Sequence, residues 1–306
     1  MKTIGITGGT GFVGSALARL LISKGYDVVI FTRNKTGQGN EPHTTYTHWD
    51  AVAGISDDRI LAQLNAVVNL AGTGIADKRW TERRKKEILD SRVKGTDFLV
   101  TKLKEHAPLC KTFISASASG FYGPDRAGSL PFAETSPAAD DFLGNTCAQW
   151  EYAAKKAGEF ARLIILRFGI ALGSESGAFP KFGQPLSFGI MPILGSGAQV
   201  ISWIAVSDLA RLILFAIENE ALSGIYNAVT PNPVTNRQLM KTIAAVKGGI
   251  KIPVPVPSVF LKILFGELSG EVLKSCTMSA KKILAAGFTF NHPGIASTVK
   301  AILGKE

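Results

Sequence analysis

Three glycines stand at three-residue intervals near the start of the chain, in the run Gly8-Gly9-Thr10-Gly11-Phe12-Val13-Gly14. The apolar segment Ile4 to Thr7 precedes them, and an amphipathic helical pattern with Leu17, Leu20 and Leu21 follows from Ser15. A strand that turns into a helix through such glycines forms an anion cradle, because the first N–H groups of the helix have no partner within it and face outward. Gly8 serves the tight turn, Gly11 lets the backbone approach a pyrophosphate, and Gly14 lets helix and strand pack closely. The implied chemistry is dinucleotide binding, with Gly8, Thr10, Gly11, Phe12, Val13 and Gly14 around the phosphates.

The next apolar run, Asp27 to Thr32, ends in Thr32-Arg33. An acid at this point would accept hydrogen bonds from the adenine ribose, and none is present. A guanidinium at Arg33 can fork onto a 2′-phosphate that a carboxylate would repel, so NADP (NADPH) is expected over NAD. The alternative is that Arg33 is an ordinary exposed arginine and either cofactor binds.

The elements that must position this site alternate along the first half of the chain. Strand-like runs are read at Thr3 to Thr7, Val28 to Thr32, Ala66 to Leu70, Lys111 to Ser115 and Leu163 to Phe168, with helices near Ser15 to Lys24, Thr81 to Lys104 and Thr146 to Gly158. That alternation predicts an α/β fold: a doubly wound parallel Rossmann sheet, with a smaller interleaved C-terminal substrate domain. The dinucleotide-binding part spans 1–168 with late core elements from 199–229; segments 169–198 and 230–306 form the substrate side and C-terminal region. The polar stretch Asn34 to Thr47 reads as a loop closing over the adenosine end. Val259 to Leu268 reads as an amphipathic helix.

Composition narrows the class. With 306 residues, 46% of them hydrophobic, the chain can fill a substantial core. Its three cysteines, Cys110, Cys147 and Cys276, lie far apart with no C-x-x-C pair, and its four histidines are scattered, so neither a disulfide framework nor a metal site is expected. The chain opens on a strand-like segment rather than a charged-then-apolar leader, and no apolar run approaches the roughly 20 residues that span a bilayer. A cytoplasmic protein without membrane attachment, monomer or homodimer, is expected. The net charge of +10 suits an anionic ligand. The densest basic run, Lys78 to Lys86, is broken by Glu82 and reads as a solvated helix face rather than a nucleic-acid surface.

Several segments carry a family resemblance: GGTGFVG, Asn69-Leu70-Ala71-Gly72, Ser117 to Gly123, Leu166-Arg167-Phe168-Gly169, Ser202-Trp203-Ile204 and the terminal Ala286-Gly287-Phe288-Thr289-Phe290. Together they resemble the short-chain dehydrogenase/reductase superfamily, in its NAD-dependent epimerase/dehydratase branch, and within it an atypical subgroup named only as epimerase family proteins. The resemblance implies that Leu70, Ala71 and Gly72 contact a cofactor ribose. It also implies that Arg92, counted with the cofactor-binding residues, stands where an asparagine is usual; a cation there suits a phosphate or an acidic substrate, or is simply a surface helix arginine.

The same resemblance exposes a departure. Enzymes of this superfamily use a Ser or Thr after the Ser-rich strand and a Tyr-x-x-x-Lys on the next helix, the lysine lowering the tyrosine's pKa. Aligned on Glu151, those two positions hold Leu143 and Cys147, and neither side chain can do the work. Ser117 remains as the candidate hydroxyl and Tyr122 as a relocated acid/base, although a Tyr-Gly pair also follows this strand in the family without catalytic duty. Arg79 and Trp203 are the candidate substrate contacts. Cys147 reads as a nucleophile only if nearby cations lower its pKa, and otherwise as buried and inert. Asp208 reads as a helix cap, accepting from N–H groups at residues 210 or 211. Two functions follow: an NADP-dependent oxidoreductase or epimerase of atypical mechanism acting on a small polar, nucleotide-linked substrate, or an NADPH-binding regulator without turnover.

Overall fold

Short aliphatic runs, each followed by a helix-forming segment, fold back beside one another as parallel strands because a helical crossover returns the chain to the same sheet end. The computed structural model describes residues 2–33 and 42–305. Its first half contains β1 (Thr3–Thr7), α1 (Phe12–Ser23), β2 (Asp27–Thr32), β3 (Thr44–His48), α2 (Asp58–Leu61), β4 (Ala66–Asn69), α3 (Glu82–His106), β5 (Thr112–Ala118) and α4 (Phe142–Lys155). Then come β6 (Arg162–Phe168), β7 (Ile170–Leu172), α5 (Ala178–Ser187), β8 (Ile190–Leu194), β9 (Val200–Ile201), β10 (Trp203–Ala205), α6 (Val206–Glu218) and β11 (Gly224–Ala228). The last part holds β12 (Val234–Thr235), α7 (Asn236–Lys247), β13 (Ile252–Val256), α8 (Ser258–Phe265), α9 (Leu268–Leu273), α10 (Lys281–Ala285) and α11 (Ile295–Ile302).

Seven strands form one parallel sheet in the order β11-β6-β5-β4-β1-β2-β3. The chain runs outward from β1 in one direction and from β4 in the other, so the switch point lies between these two strands, where open α/β sheets bind their ligands. One apolar cluster joins Ile4, Ile6 and Val68 of the sheet to Leu17 and Leu21 of α1 and to Leu209 and Ile213 of α6. A second joins Val67 and Phe113 to Leu99 and Leu103 of α3 and Ala154 of α4. A third, with Leu172, Phe179, Trp203, Leu239, Ile243 and Val299, lies wholly in the second half of the chain. There α7 is started by a capping box, the Thr235 hydroxyl accepting from the Gln238 N–H while the Gln238 side chain accepts from the Thr235 N–H.

The structure differs from the sequence reading at four places. Thr44 to Thr47, read as loop, belong to β3 at the sheet edge; its residues are mostly polar, and it is held by pairing to β2 rather than by burial. Of the rest of that reading, residues 34–41 lie outside the described residues, and Pro42 and His43 form a turn into β3. Helix α4 begins at Phe142 rather than Thr146, because Asp141 caps it by accepting from the Gly144 N–H at 2.8 Å. The Val259 to Leu268 helix ends at Gly266, whose φ of +60° suits glycine, and its apolar side is open: Val259, Phe260, Ile263 and Leu264 are all exposed.

Asp208 is the fourth. It sits in the first turn of α6 yet caps a different segment, accepting from the N–H groups of Asn291 (3.0 Å) and His292 (2.8 Å) and from Arg211 Nη1 (2.7 Å). The carboxylate is fully buried and fastens the segment between α10 and α11 to the sheet-facing helix. Asp208→Ala leaves two backbone donors without their acceptor and is expected to lower unfolding free energy by roughly 2–4 kcal/mol, read as a lower urea midpoint at unchanged slope.

Candidate functional site

At the switch point the Gly8 backbone takes φ +68°, and the Gly11 N–H donates to the Gly8 carbonyl at 3.0 Å, closing the turn into α1. A β-carbon on Gly14 would collide with the Gly8 carbonyl oxygen and lie 2.7 Å from Gly9 Cα. One on Gly8 would lie 2.9 Å from the Leu70 carbonyl carbon. These approaches seat α1 directly over β1 and beside the end of β4. Gly11 caps the helix without a side-chain acceptor, so its first N–H groups face outward. Thr10 is exposed beside them. Val13 packs into the first cluster, and the Phe12 ring packs on the chain after β7, where β-carbons at Gly173 and Gly177 would stand 2.8 and 3.1 Å from it. The cradle therefore fits a pyrophosphate on the backbone alone.

Two flanks extend this cradle. Thr32 ends β2 opposite His48, and Arg33 is exposed in the bend that follows. Arg33 lies near Asp50, whose carboxyl is held below its usual pKa first by the backbone N–H groups of Ala53 and Val52 and then, more weakly, by Arg33 and His48. A cavity of about 470 Å³ lined by Thr47, His48, Ile55, Asp57 and Arg59 adjoins this end. On the other flank, Leu70, Ala71 and Gly72 form a ledge at the end of β4. It is braced by a buried chain that the sequence reading missed. Thr7 Oγ1 donates to Asn69 Oδ1 (2.7 Å) and accepts from the Ala71 N–H (3.3 Å), while Asn69 Nδ2 and Trp150 Nε1 both donate to Thr96 Oγ1 (2.8 and 3.0 Å).

The loop after the ledge is pinned from α3. Arg84 Nη2 donates to the Gly74 carbonyl (2.7 Å), Arg92 Nη1 to that of Thr73 (3.0 Å), and the Thr73 N–H to Ser91 Oγ (3.1 Å). Arg92 lies over Gly72, with its guanidinium 5.3 Å from the Trp150 ring. Arg79, exposed on the same loop, rests against Gly266, and the Lys85–Glu267 ion pair (2.6 Å) reinforces that contact between the strand-end loop and the C-terminal region.

Ser117 and Tyr122 do come together, but in the interior. In the parallel register Ser117 stands opposite Arg167, and Arg167 opposite Asn227, making one row across β5, β6 and β11. Arg167 grips Glu151 side-on, Nε to Oε1 at 2.7 Å and Nη2 to Oε2 at 2.8 Å. The Ser117 hydroxyl donates to Glu151 Oε1 (2.7 Å). The Tyr122 hydroxyl accepts from Arg167 Nη1 (2.8 Å) and donates to Asn227 Oδ1 (2.6 Å), with its ring stacked on Phe132. Ser117, Tyr122, Glu151 and Arg167 are each at most 4% exposed. Burial pushes the Tyr122 phenol up to about 12, against the pull of Arg167.

The expectation that Ser117 and Tyr122 exchange protons with a substrate is therefore corrected: both hydroxyls are committed to buried partners, and the phenol's raised pKa opposes proton release. Trp203 is corrected as well. It is fully buried in the third cluster, with Nε1 donating to the Asn232 carbonyl at 2.9 Å, and has no surface to offer a substrate. Leu143 is buried, packed on Gly120. Cys147 is buried too, its thiol pushed up to about 11 by burial and by the charge of Glu151, which disfavours a nucleophilic role. The Arg167–Glu151 pair had a signal in the sequence, since Arg167 falls in a segment that carried the resemblance and Glu151 anchored the alignment of the missing tyrosine and lysine; their contact did not, because it depends on how β6 and α4 pack together. Among the described residues no group of three or more His, Cys, Asp or Glu is placed to hold a metal ion.

Two outcomes follow. Tyr122→Phe leaves an Arg167 proton and Asn227 Oδ1 unpaired, and is expected to cost about 1–3 kcal/mol, read as a lower urea midpoint. The buried thiols Cys110, Cys147 and Cys276, at about 11, 11 and 12, stay protonated in the folded chain above pH 9, where unfolded thiols ionise. The unfolded state then binds fewer protons than the folded one, so stability is full below pH 9 and falls between about pH 9 and 11. Unfolding midpoints across that range check the sign.

Comparison with known proteins gives the site its context. The model of the NAD dependent epimerase/dehydratase family matches residues 4–228, and that of a domain of unknown function, DUF1731, matches residues 256–302. The epimerase family protein YfhF of Bacillus subtilis is 35% identical over 98% of this chain and 97% of its own length. The crystal structure of human epimerase family protein SDR39U1 with NADPH superposes with a TM-score of 0.88 at 29% identity, covering 99% of this chain and 100% of that one. A nucleoside-diphosphate sugar epimerase from Corynebacterium glutamicum superposes with a TM-score of 0.79 at 32% identity, over 100% of this chain and 59% of that one. With a seven-stranded parallel Rossmann sheet, the glycine cradle at its switch point and this match over most of its length, the chain belongs to the NAD dependent epimerase/dehydratase family.

Proposed function

We propose that this protein binds NADP(H) and acts as an atypical oxidoreductase or epimerase on a small polar, nucleotide-linked substrate. The observation that carries the reading is the Gly8–Gly14 approach: it leaves no room for a β-carbon and exposes the first N–H groups of α1 to an anion. The backbone from Gly11 to Val13 holds the pyrophosphate, Thr32 and Arg33 face the adenosine end, and the ledge Leu70–Gly72 receives the second ribose. Arg33 selects the 2′-phosphate, since its fork matches that group and no acid stands at the end of β2. When bound, the nicotinamide supplies or accepts a hydride. The NADPH in the human relative supports the cofactor, and the name of the Corynebacterium relative supports the substrate class.

The second reading, an NADPH-binding regulator without turnover, is favoured by one specific observation. The positions that would carry a tyrosine and a lysine hold buried Leu143 and Cys147, and the nearby hydroxyls are internally paired. Incubation with NADP or NADPH and a panel of nucleotide sugars and carbonyl compounds separates the two, with nicotinamide absorbance reading net oxidation or reduction and chromatography of the recovered sugars reading epimerisation, which returns its hydride and leaves the absorbance unchanged. Turnover of any of them excludes the regulator. A partner captured only when NADPH is present, with no turnover across the panel, favours the regulator.

The cofactor assignment has its own test. Calorimetry is expected to give NADPH binding at least tenfold tighter than NADH, and Arg33→Asp is expected to weaken NADPH about 10- to 100-fold, the loss of a charge-assisted fork. Equal affinities in the unaltered protein defeat the assignment.

A further inference from the structure

Two arginines of α3 reach under the same strand-end loop, and they differ in one respect. Arg84 is charge-compensated: Nη1 lies 3.2 Å from Glu87 Oε2 and Nη2 lies 3.6 Å from Asp77 Oδ2, with the Gly74 carbonyl taking a further proton. Arg92, two turns along the helix, has no carboxylate within ion-pair distance among the described residues. Both of its hydrogen bonds run through Nη1, to the carbonyls of Thr73 (3.0 Å) and Ile88 (3.1 Å). These bonds, with Trp150 against the guanidinium face, fix the plane of the group. The Nε–Nη2 edge makes no hydrogen bond to a described residue, and Nη2 stands over Gly72, 3.3 Å from where a β-carbon there would be.

That edge is the one arginine uses to fork onto two oxygens of one oxyanion. It is held at the carboxyl end of β4, one step along the ledge from the Gly8 turn, where the Leu70 backbone abuts the cradle. Burial lowers the Arg92 pKa, so the surroundings disfavour a cation left without a counter-charge. The cradle at α1 already supplies the donors a pyrophosphate needs, which leaves this fork for a different anion.

We propose that Arg92 is the receptor for an oxyanion of the substrate, so that the substrate class is an anionic molecule presenting a carboxylate or phosphate beside the bound nicotinamide nucleotide. This rests on the NADP(H)-binding reading for its location, though not for the anion recognition itself. The preset fork lets the substrate bind without reorganising the loop, and it orients the group to be transformed over the ledge.

The test titrates oxalate and, separately, inorganic phosphate into the protein with and without saturating NADP, by calorimetry. Oxalate or phosphate is expected to bind the unaltered protein with Kd on the order of 1 mM, weakening at least tenfold in Arg92→Gln and only in part in Arg92→Lys, which keeps a point charge but loses the fork. Whichever of the two probes binds identifies the oxyanion. Circular-dichroism melting of both variants accompanies the titration, and if Arg92→Gln does not fold, the loss in Arg92→Lys decides. Absence of binding of both probes to the unaltered protein, or equal binding by the variants, overturns the proposal. So does a tenfold loss of NADPH affinity in Arg92→Gln with affinity for 2′,5′-ADP intact, since the fork then serves the dinucleotide. Failure of the unaltered protein to bind NADPH defeats the cofactor reading, while an Arg92-dependent oxalate or phosphate signal without nucleotide still sustains anion recognition.

Discussion

The Arg167–Glu151 pair is the interaction on which the interior at the carboxyl ends of the strands depends. A guanidinium and a carboxylate with almost no solvent contact persist only if their donors and acceptors are matched, because removing one partner of such a pair costs about 3–5 kcal/mol. Four of the five Arg167 protons are matched: Glu151 accepts from Nε and Nη2 and also takes the Ser117 proton, Tyr122 and the Glu134 carbonyl accept from Nη1, and the Phe121 ring covers the guanidinium face with its centroid 3.4 Å away. Asn227 completes the row by accepting from Tyr122 and donating to the carbonyls of Phe132 and Ser279. One charged pair thus ties β5, β6, β11 and α4 to the C-terminal region. Its cost to chemistry is that the two hydroxyls nearest the expected site of reaction are fixed as structural donors and acceptors.

This separates two parts of the family's architecture that are often treated as one. The cradle is built from backbone and absent side chains, and it depends on Gly8 and Gly14 leaving room for the helix. The region of α4 facing the sheet is built from side chains, and here Leu143 and Cys147 in it are packed in the interior. Leu143 closes on Gly120, where a β-carbon would lie 3.0 Å from its own β-carbon, and Cys147 contributes a neutral thiol to the first cluster. The cradle thus rests on backbone geometry, whereas the α4 positions facing the sheet hold the side chains of Leu143 and Cys147.

What could be read from the sequence follows the same division. The glycine turn, the order of strands and the alternation of helices were legible because each is encoded within about ten adjacent residues by spacing and hydrophobic period. Strand β3 was missed because Thr44-Thr45-Tyr46-Thr47-His48 has no apolar alternation; only its pairing with β2 makes it a strand. Asp208 was recognised as a capping residue but assigned to its own helix, since nothing local announces that residues 291 and 292 will arrive opposite it. Ser117, Tyr122 and Trp203 were singled out by type, and their burial is decided by strands that lie far apart in sequence. A row such as Ser117–Arg167–Asn227 exists only once the registers of three strands are fixed.

Charge shows where the remaining specificity resides. The basic run from Lys78 enters α3, and much of its charge is matched on the helix surface: Arg83 with Glu87, Lys85 with Glu82 and Glu267, and Lys86 and Lys94 with Asp90. Such exposed pairs contribute little to stability, about 0–1 kcal/mol each, but they cancel the field that a run of cations would otherwise project. Arg92 breaks this pattern on the same helix, half-buried and held in place by carbonyls rather than carboxylates. A cation in a partly dry crevice acts more strongly than several on a solvated face, because low-dielectric walls concentrate its field. Within α3 the formal charge is thus distributed unevenly, cancelled along the exposed face and left without a carboxylate partner among the described residues at Arg92, beside the ledge at the end of β4.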